Sequence, residues 1–135
     1  MKTNIYTIKD DNDNDKGMTK VLVVEDNPLN MELAVEILKS RGFTVDEAID
    51  GEEAIKKLET EGYDLILMDI ELPGMDGVEV TRIIKSKYKK IPVIALTSYA
   101  MKGDKERFLA AGFDEYLSKP LDVSDFLKRL DKYHK

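Results

Sequence analysis

The chain has 135 residues, which suits one domain with one hydrophobic core. Acidic residues outnumber basic ones 27 to 21, and the net charge of −6 argues against nucleic acid and anionic membranes as partners, because both require a basic face. The absence of cysteine excludes disulfides, thiolate catalysis and cysteine-ligated zinc. No apolar run approaches the roughly 20 residues of a membrane span, and the start lacks the apolar segment of a signal peptide, so we expect a cytoplasmic protein.

The first 17 residues are polar and of low complexity, and we expect a disordered extension ahead of a domain over residues 18–135. The spacing of Asp11, Asp13 and Asp15 is similar to that of a calcium-binding loop. Such a loop needs Gly at its sixth position and Glu at its twelfth, where this chain has Lys16 and Leu22. The sequence therefore argues against a calcium site here.

Organised patterns begin near residue 20. Residues 21–24 form a short β-branched run that predicts a strand buried on both faces. Asn27 and Pro28 fit a helix N-cap followed by proline at the first helical position. The helix carries a one-sided apolar stripe and ends at Gly42; the stripe consists of Met31, Ala34, Val35 and Leu38.

The middle of the chain repeats this alternation of strand and helix. A weaker strand over residues 44–48 precedes a helix over about 52–61, for which Asp50 is the predicted N-cap. The third strand, residues 65–68, is wholly apolar and leads directly into Asp69. An apolar run that ends in a carboxylate and a glycine-containing loop is unusual for a purely structural strand.

The last third of the chain adds a helix starting near Gly77, a strand over 92–96, a helix over about 102–111 and a strand that contains residues 116–117. A final helix repeats the one-sided apolar stripe, in the order Val123, Phe126, Leu127 and Leu130. Five strands alternating with five helices predict an α/β fold, a three-layer sandwich with a parallel sheet covered on both faces. The first and third strands are the most apolar, which suits central positions. The fourth helix rests mainly on Phe108 and Ala111, so we expect it to be mobile.

Polar side chains stand at the carboxyl ends of these strands, where parallel α/β sheets bind ligands. The set comprises Glu25 and Asp26 after the first strand, Asp69 after the third, Thr97 and Ser98 after the fourth, and Lys119 after the fifth. Two carboxylates about 6 Å apart repel by roughly 3 kcal/mol at an effective dielectric near 20. The attraction of one lysine cannot offset the summed repulsion of the whole cluster. A divalent cation such as Mg²⁺ offsets it, and a metal-screened carboxylate beside a lysine can attack phosphorus.

Four motifs carry a resemblance to a known family. They are VLVVEDN (21–27), LILMDIELPGMDG (65–77), PVIALTS (92–98) and DEYLSKPL (114–121), in matching order and spacing. Residues 19–133 resemble the receiver domain of two-component response regulators, of the stand-alone type found in chemotaxis and phosphorelays. The resemblance implies a flavodoxin-like (βα)5 sandwich with the strand order 2-1-3-4-5.

The resemblance also implies an acceptor and a metal site. Asp69 would accept a phosphoryl group from the phosphohistidine of a sensor histidine kinase or a phosphotransfer protein. Glu25, Asp26 and Asp69 would bind Mg²⁺, or Mn²⁺ in its place, together with the backbone carbonyl of Glu71. Glu25 stands at the first acidic position, where its longer side chain is a common variant.

Further roles follow from the same resemblance. Thr97 and Lys119 would bind phosphoryl oxygens, and Lys119 would precede Pro120 in a cis peptide bond. Tyr116 matches an aromatic switch that turns inward when Thr97 moves toward the phosphate. Glu71 and Tyr99 occupy positions that tune the lifetime of the phosphate. The protein would then not be an enzyme toward other substrates, but would signal to a protein partner through its fourth helix, fifth strand and fifth helix, or pass the phosphate on.

Three other functions remain to be weighed. A phosphatase with an aspartate nucleophile would place its paired acids after the first strand, whereas Asp69 and Glu71 follow the third. A flavodoxin would need a Ser-, Thr- and Gly-rich phosphate loop where Glu25 and Asp26 would repel phosphate. A module that is never phosphorylated would not need an intact acceptor site.

The single histidine, His134, is expected to lie in a solvated tail rather than to donate phosphate. The sequence leaves open whether this is a natural stand-alone protein or the excised receiver of a hybrid kinase.

Overall fold

The structure is a computed structural model that describes residues 19–98 and 104–133. The predicted extension over residues 1–17, Tyr99 and His134 lie outside the described residues. Strands and helices alternate in the order β1 (Lys20–Val24), α1 (Pro28–Ser40), β2 (Thr44–Ala48), α2 (Gly51–Thr60), β3 (Leu65–Asp69), α3 (Gly77–Lys87), β4 (Val93–Thr97), α4 (Asp104–Ala111), β5 (Glu115–Ser118) and α5 (Val123–Leu130).

The five strands form one parallel sheet in the order β2-β1-β3-β4-β5, which confirms the predicted topology. Every residue of β3 is buried, as expected for the central strand. Because neighbouring strands are paired in register, Asp69 lies opposite Leu96, and Thr97 lies opposite Ser118. The strand ends therefore meet along one edge of the sheet, where the polar residues were predicted to gather.

The sheet is covered on both faces. One core cluster packs α2, α3 and α4 against the sheet, through residues such as Leu58, Ile84 and Phe108. The other packs α1 and α5 against the opposite face, through Leu38 and Phe126 among others. This arrangement confirms the predicted three-layer sandwich, and it is why the inner strands β1, β3 and β4 are mostly apolar whereas the edge strands β2 and β5 are not.

Helix starts follow the predicted capping chemistry. The Asn27 side chain accepts hydrogen bonds from the backbone N–H groups of Leu29 and Asn30, and Asp50 accepts one from Glu53. These bonds satisfy backbone donors that a first helical turn leaves unpaired. None of the described helices is long and apolar enough to cross a bilayer.

Some boundaries differ by a residue from the sequence prediction. The fourth strand covers Val93–Thr97 rather than 92–96, because Pro92 has no N–H group to donate to the neighbouring strand. The third strand extends through Asp69 rather than stopping at residue 68. Both shifts bring a predicted functional residue into the sheet itself, where Asp69 is paired with Leu96 of β4 and Thr97 is paired with Ser118 of β5.

Candidate functional site

Three carboxylates meet at the carboxyl edge of the sheet. One oxygen each from Glu25, Asp26 and Asp69 lies within 4.8 Å of the other two. Glu25 and Asp69 are buried, at 2% and 1% exposure, whereas Asp26 is exposed. The sheet fixes the two buried acids, because the N–H group of Glu25 donates to the Ala48 carbonyl and Asp69 is the last residue of β3.

The loop that follows Asp69 folds back over the site. The Asp69 side chain accepts a hydrogen bond of 2.9 Å from the backbone N–H of Glu71. The N–H group of Gly77 donates to the Ile70 carbonyl at 3.0 Å, which brings the start of α3 against the end of β3. These two bonds hold the Asp69 carboxylate and the loop that follows it in one position.

Lys119 supplies the positive charge of the site. Its Nζ atom lies 3.0 Å from Asp69 Oδ1, 3.4 Å from Glu25 Oε1 and 3.7 Å from Glu71 Oε1, and only 11% of its side chain is exposed. The N–H group of Lys119 donates to the Thr97 carbonyl at 2.8 Å. The peptide bond to Pro120 is cis, as predicted. One amine therefore faces three carboxylates from two strand ends: Glu25 after β1, and Asp69 and Glu71 at the end of β3.

Glu71 places its side chain between Thr97 and Lys119. Thr97 is buried, and its hydroxyl donates to Glu71 Oε2 at 3.5 Å, the long limit for a hydrogen bond. The other carboxylate oxygen of Glu71 faces Lys119. The sequence reasoning assigned only the backbone carbonyl and a tuning role to Glu71, because the direction of a loop side chain leaves no periodic pattern in the sequence.

The crowding changes the acidity of two groups. Burial, followed by the nearby Asp69 carboxylate, raises the pKa of Glu25 to about 7. Burial alone would lower the pKa of Lys119, but the carboxylates of Asp69, Glu25 and Glu71 outweigh it and raise that pKa. The site therefore holds an excess of negative charge that Lys119 offsets only in part.

The donor set fits a hard divalent cation. Mg²⁺ and Mn²⁺ prefer carboxylate, carbonyl and water oxygens, and this edge offers three carboxylates close enough together to reach one ion. No thiolate competes, since the chain has no cysteine. The exposed position of Asp26 leaves the edge open to solvent, so an ion bound there can keep some of its waters.

The predicted switch residue, Tyr116, lies on β5, the strand that neighbours β4 and its last residue, Thr97. Tyr116 of β5 is paired in register with Ala95 and is half-buried, and its ring centroid lies 5.7 Å from that of Phe108 in α4. Phe108 and Ala111 are buried, while Leu109 is 48% exposed. The structure thus joins the site edge to α4 through an aromatic contact.

Comparisons with known proteins agree with this geometry. The family model described as "Response regulator receiver domain" matches residues 21–131. The polar-differentiation response regulator DivK of Brucella ovis is 43% identical over 119 residues, which cover 86% of this chain and 97% of that protein.

Two solved structures are similar in fold and sequence. The receiver domain of the sensor histidine kinase PA1611 from Pseudomonas aeruginosa, with a magnesium ion in its active site cleft, is 38% identical with a TM-score of 0.77, covering 85% of this chain and 96% of that one. The second is the Saccharomyces cerevisiae co-crystal structure of the histidine phosphotransfer protein Ypd1 and the receiver domain of Ssk1. The matching chain of that structure is 27% identical to this chain with a TM-score of 0.81, and the match covers 87% of this chain and 90% of that one.

Proposed function

The chain belongs to the response regulator receiver domain family, and from that premise we propose that Asp69 accepts a phosphoryl group from a phosphohistidine. A receiver is a signalling domain, so the acceptor reaction would serve to switch a protein contact rather than to turn over a substrate. The observation that supports this most strongly is the buried Asp69 carboxylate beside Lys119 at the open edge of the sheet. A carboxylate in a purely structural role has no need of two further carboxylates, Glu25 and Asp26, close enough to share one ion with it.

The reaction needs only an ionised carboxylate held in place. An Asp69 oxygen forms a bond to phosphorus while the bond from phosphorus to the donor histidine nitrogen breaks, and the electron pair stays on that nitrogen. Lys119 supports this step because its amine, 3.0 Å from Asp69 Oδ1, neutralises charge on the transferred group. The hydrogen bond from the Glu71 N–H holds the carboxylate in one orientation.

A divalent cation, Mg²⁺ or Mn²⁺, would be held by Glu25, Asp26 and Asp69 with the backbone carbonyl of Glu71. When bound, it supplies charge neutralisation for the phosphoryl oxygens. The acidic cluster and the magnesium-containing structure of the PA1611 receiver domain support this assignment. The raised pKa of Glu25 means that cation binding competes with a proton there.

Thr97 and Lys119 are the groups placed to bind the phosphoryl oxygens once Asp69 is modified. Glu71 now lies between them, so its carboxylate has to move aside for the phosphoryl group to enter. This position supports a role for Glu71 in setting the rate and lifetime of phosphorylation, together with Tyr99. Movement of Thr97 toward the phosphate would open space for Tyr116, whose ring contacts Phe108 of α4.

We expect two kinds of protein partner. The donor would be a sensor histidine kinase or a histidine phosphotransfer protein, as the Ssk1 neighbour crystallised with Ypd1 suggests. The downstream target would bind the face formed by α4, β5 and α5, where a groove of about 670 Å³ is lined by Phe108, Leu109, Tyr116 and Arg129 among others. Neither nucleic acid nor a membrane is an expected partner, and the predicted location is the cytoplasm.

Intact-mass analysis tests the acceptor assignment. The protein is incubated with a small phosphodonor such as acetyl phosphate, with and without Mg²⁺. We expect one added phosphoryl group that needs Mg²⁺ and disappears in Asp69→Asn. Equal labelling of Asp69→Asn and of the unmodified protein would overturn the assignment.

A further inference from the structure

A second groove lies on the opposite edge of the sheet from the α4–β5–α5 face. It has a volume of about 340 Å³ and lies where α1 meets the edge strand β2 and the loop that follows it. Five carboxylate residues from three segments line it: Glu25 and Asp26 after β1, Glu32 and Glu36 on α1, and Glu47 on β2. Since β2 and β5 are the two outer strands, a partner in this groove would leave the α4–β5–α5 face accessible.

Most of the charge of this groove is uncompensated. Neither lysine nor arginine lines it within the part of the chain that the structure describes. Glu25 is paired with Lys119, whereas the other four carboxylates have no ion-pair partner among those same residues. Glu32 and Glu36 stand one turn apart on α1, where like charges destabilise a helix. A positively charged ligand would remove that repulsion, so the groove is electrostatically complementary to a basic partner.

The groove also offers apolar surface. Pro28, Met31 and Val35 of α1 line it, with Ile49 from the loop after β2. Ile49 is 61% exposed, which leaves a large aliphatic side chain in solvent beside the carboxylates. The groove therefore combines apolar residues with a surrounding set of negative charges, unlike the solvated acidic surface of α2. It can bury an aliphatic side chain as well as attract a cation.

We propose that this acidic groove docks an amphipathic basic segment of a partner protein, with an aliphatic side chain against Ile49 and Val35 and lysine or arginine side chains against Glu32, Glu36 and Glu47. The volume suits a few side chains rather than a folded domain. Helical segments with one apolar and one basic face have this chemistry. Glu25 and Asp26 at one end of the groove belong to the proposed cation site, but the proposed contacts are made by Glu32, Glu36, Glu47, Val35 and Ile49, which have no part in the acceptor reaction.

A synthetic amphipathic peptide of about 14 residues, with leucines one turn apart and flanking lysines, is the probe. It is titrated into the ¹⁵N-labelled protein and followed by NMR and by fluorescence anisotropy. We expect shift changes centred on Met31, Val35 and Ile49. The double variant Glu32→Lys/Glu36→Lys should weaken binding by at least about tenfold, whereas Glu59→Lys/Glu79→Lys, which changes the net charge equally on the exposed surfaces of α2 and α3, should leave it nearly unchanged.

A third variant, Ile49→Asn, separates the apolar contribution from the charge. It should weaken binding most clearly at high salt, where charge attraction is screened. The proposal is wrong if the two double variants weaken binding equally, since that is non-specific attraction to an acidic protein. It is also wrong if Ile49→Asn has no effect, or if sedimentation shows that the groove instead mediates self-association that Glu32→Lys/Glu36→Lys abolishes. Circular dichroism of each variant establishes that the fold is retained.

Discussion

A Cβ atom on residue 77 would lie 2.1 Å from the backbone oxygen of Asp69, so Gly77 allows the start of α3 to approach the acceptor more closely than any side chain would permit. The same Cβ would lie 2.9 Å from the Cα atom of Ile70. Both neighbours are backbone atoms, which cannot rotate away as a side chain can. The geometry of the acceptor strand end therefore depends on a residue that carries no functional group.

Gly77→Ala should displace the end of β3. We expect a loss of about 1–3 kcal/mol in the free energy of unfolding, as for other overpacked sites, measured by urea denaturation. Phosphorylation should slow by up to about a hundredfold, because a small shift of the reacting carboxylate is enough for that. Gly62→Ala is the matched control, since a Cβ at residue 62 would meet nothing within 4 Å. Equal behaviour of the two variants would contradict this reading of the contact.

Lys119→Met should show how much the amine stabilises the acidic cluster. The substitution keeps the apolar stem but leaves Asp69 and Glu25 buried without their counter-ion. We expect a loss of roughly 3 kcal/mol in stability in the absence of metal, measured by thermal denaturation. Mg²⁺ should stabilise the variant more than the unmodified protein. Lys56→Met, on the exposed surface of α2, is the control, and equal Mg²⁺ effects in all three proteins would argue against a cation bound beside Lys119.

Glu71→Gln should speed phosphorylation. The carboxylate that faces Thr97 and Lys119 would become neutral, so it would compete less with an incoming phosphoryl group. We expect a several-fold higher rate with acetyl phosphate, measured by intact mass over time. Glu71→Asp keeps the charge but shortens the reach by one methylene group, and it should be faster too if the contacts matter. If Glu71→Gln is faster but Glu71→Asp reacts at the rate of the unmodified protein, then the charge of residue 71 alone sets the rate, and its contacts do not.

The acid stability of the protein should depend on Glu115 of β5. Burial would raise its pKa, but the Tyr133 hydroxyl at 2.5 Å, Arg129 and Lys132 outweigh burial and lower that pKa. A lowered pKa in the folded state stabilises the protein above the ordinary carboxyl pKa, and the contribution is lost as the pH falls through the folded value. Unfolding free energies measured against pH should therefore converge in acid for Glu115→Gln and the unmodified protein, and separate near neutral pH.

The fold was predictable from the sequence because it depends on periodic patterns. The one-sided apolar stripe of α1 and the unbroken apolar run of β3 correspond directly to buried faces. The site was predictable in position for a related reason: strand ends of a parallel sheet meet at one edge, so Asp69, Glu25 and Lys119 had to come together.

Three features were not predictable from such patterns. The Glu71 side chain turns toward Thr97, and Gly77 lies against the Asp69 backbone, because loop geometry after β3 decides both. The acidic groove depends on the way α1 lies across β2, which sets Glu32 and Glu47 on one surface although they belong to separate elements. Contacts of this kind come from tertiary packing and have no local signature in a single sequence.

Chemical trapping of the phosphoryl group identifies the residue that carries it. Borohydride reduces an aspartyl phosphate to homoserine, and peptide mapping by mass spectrometry then identifies the modified residue. After treatment with phosphodonor and Mg²⁺, we expect homoserine at residue 69 and at no other position. Homoserine at residue 26, or a protein that remains unmodified in the presence of donor and metal, would contradict it.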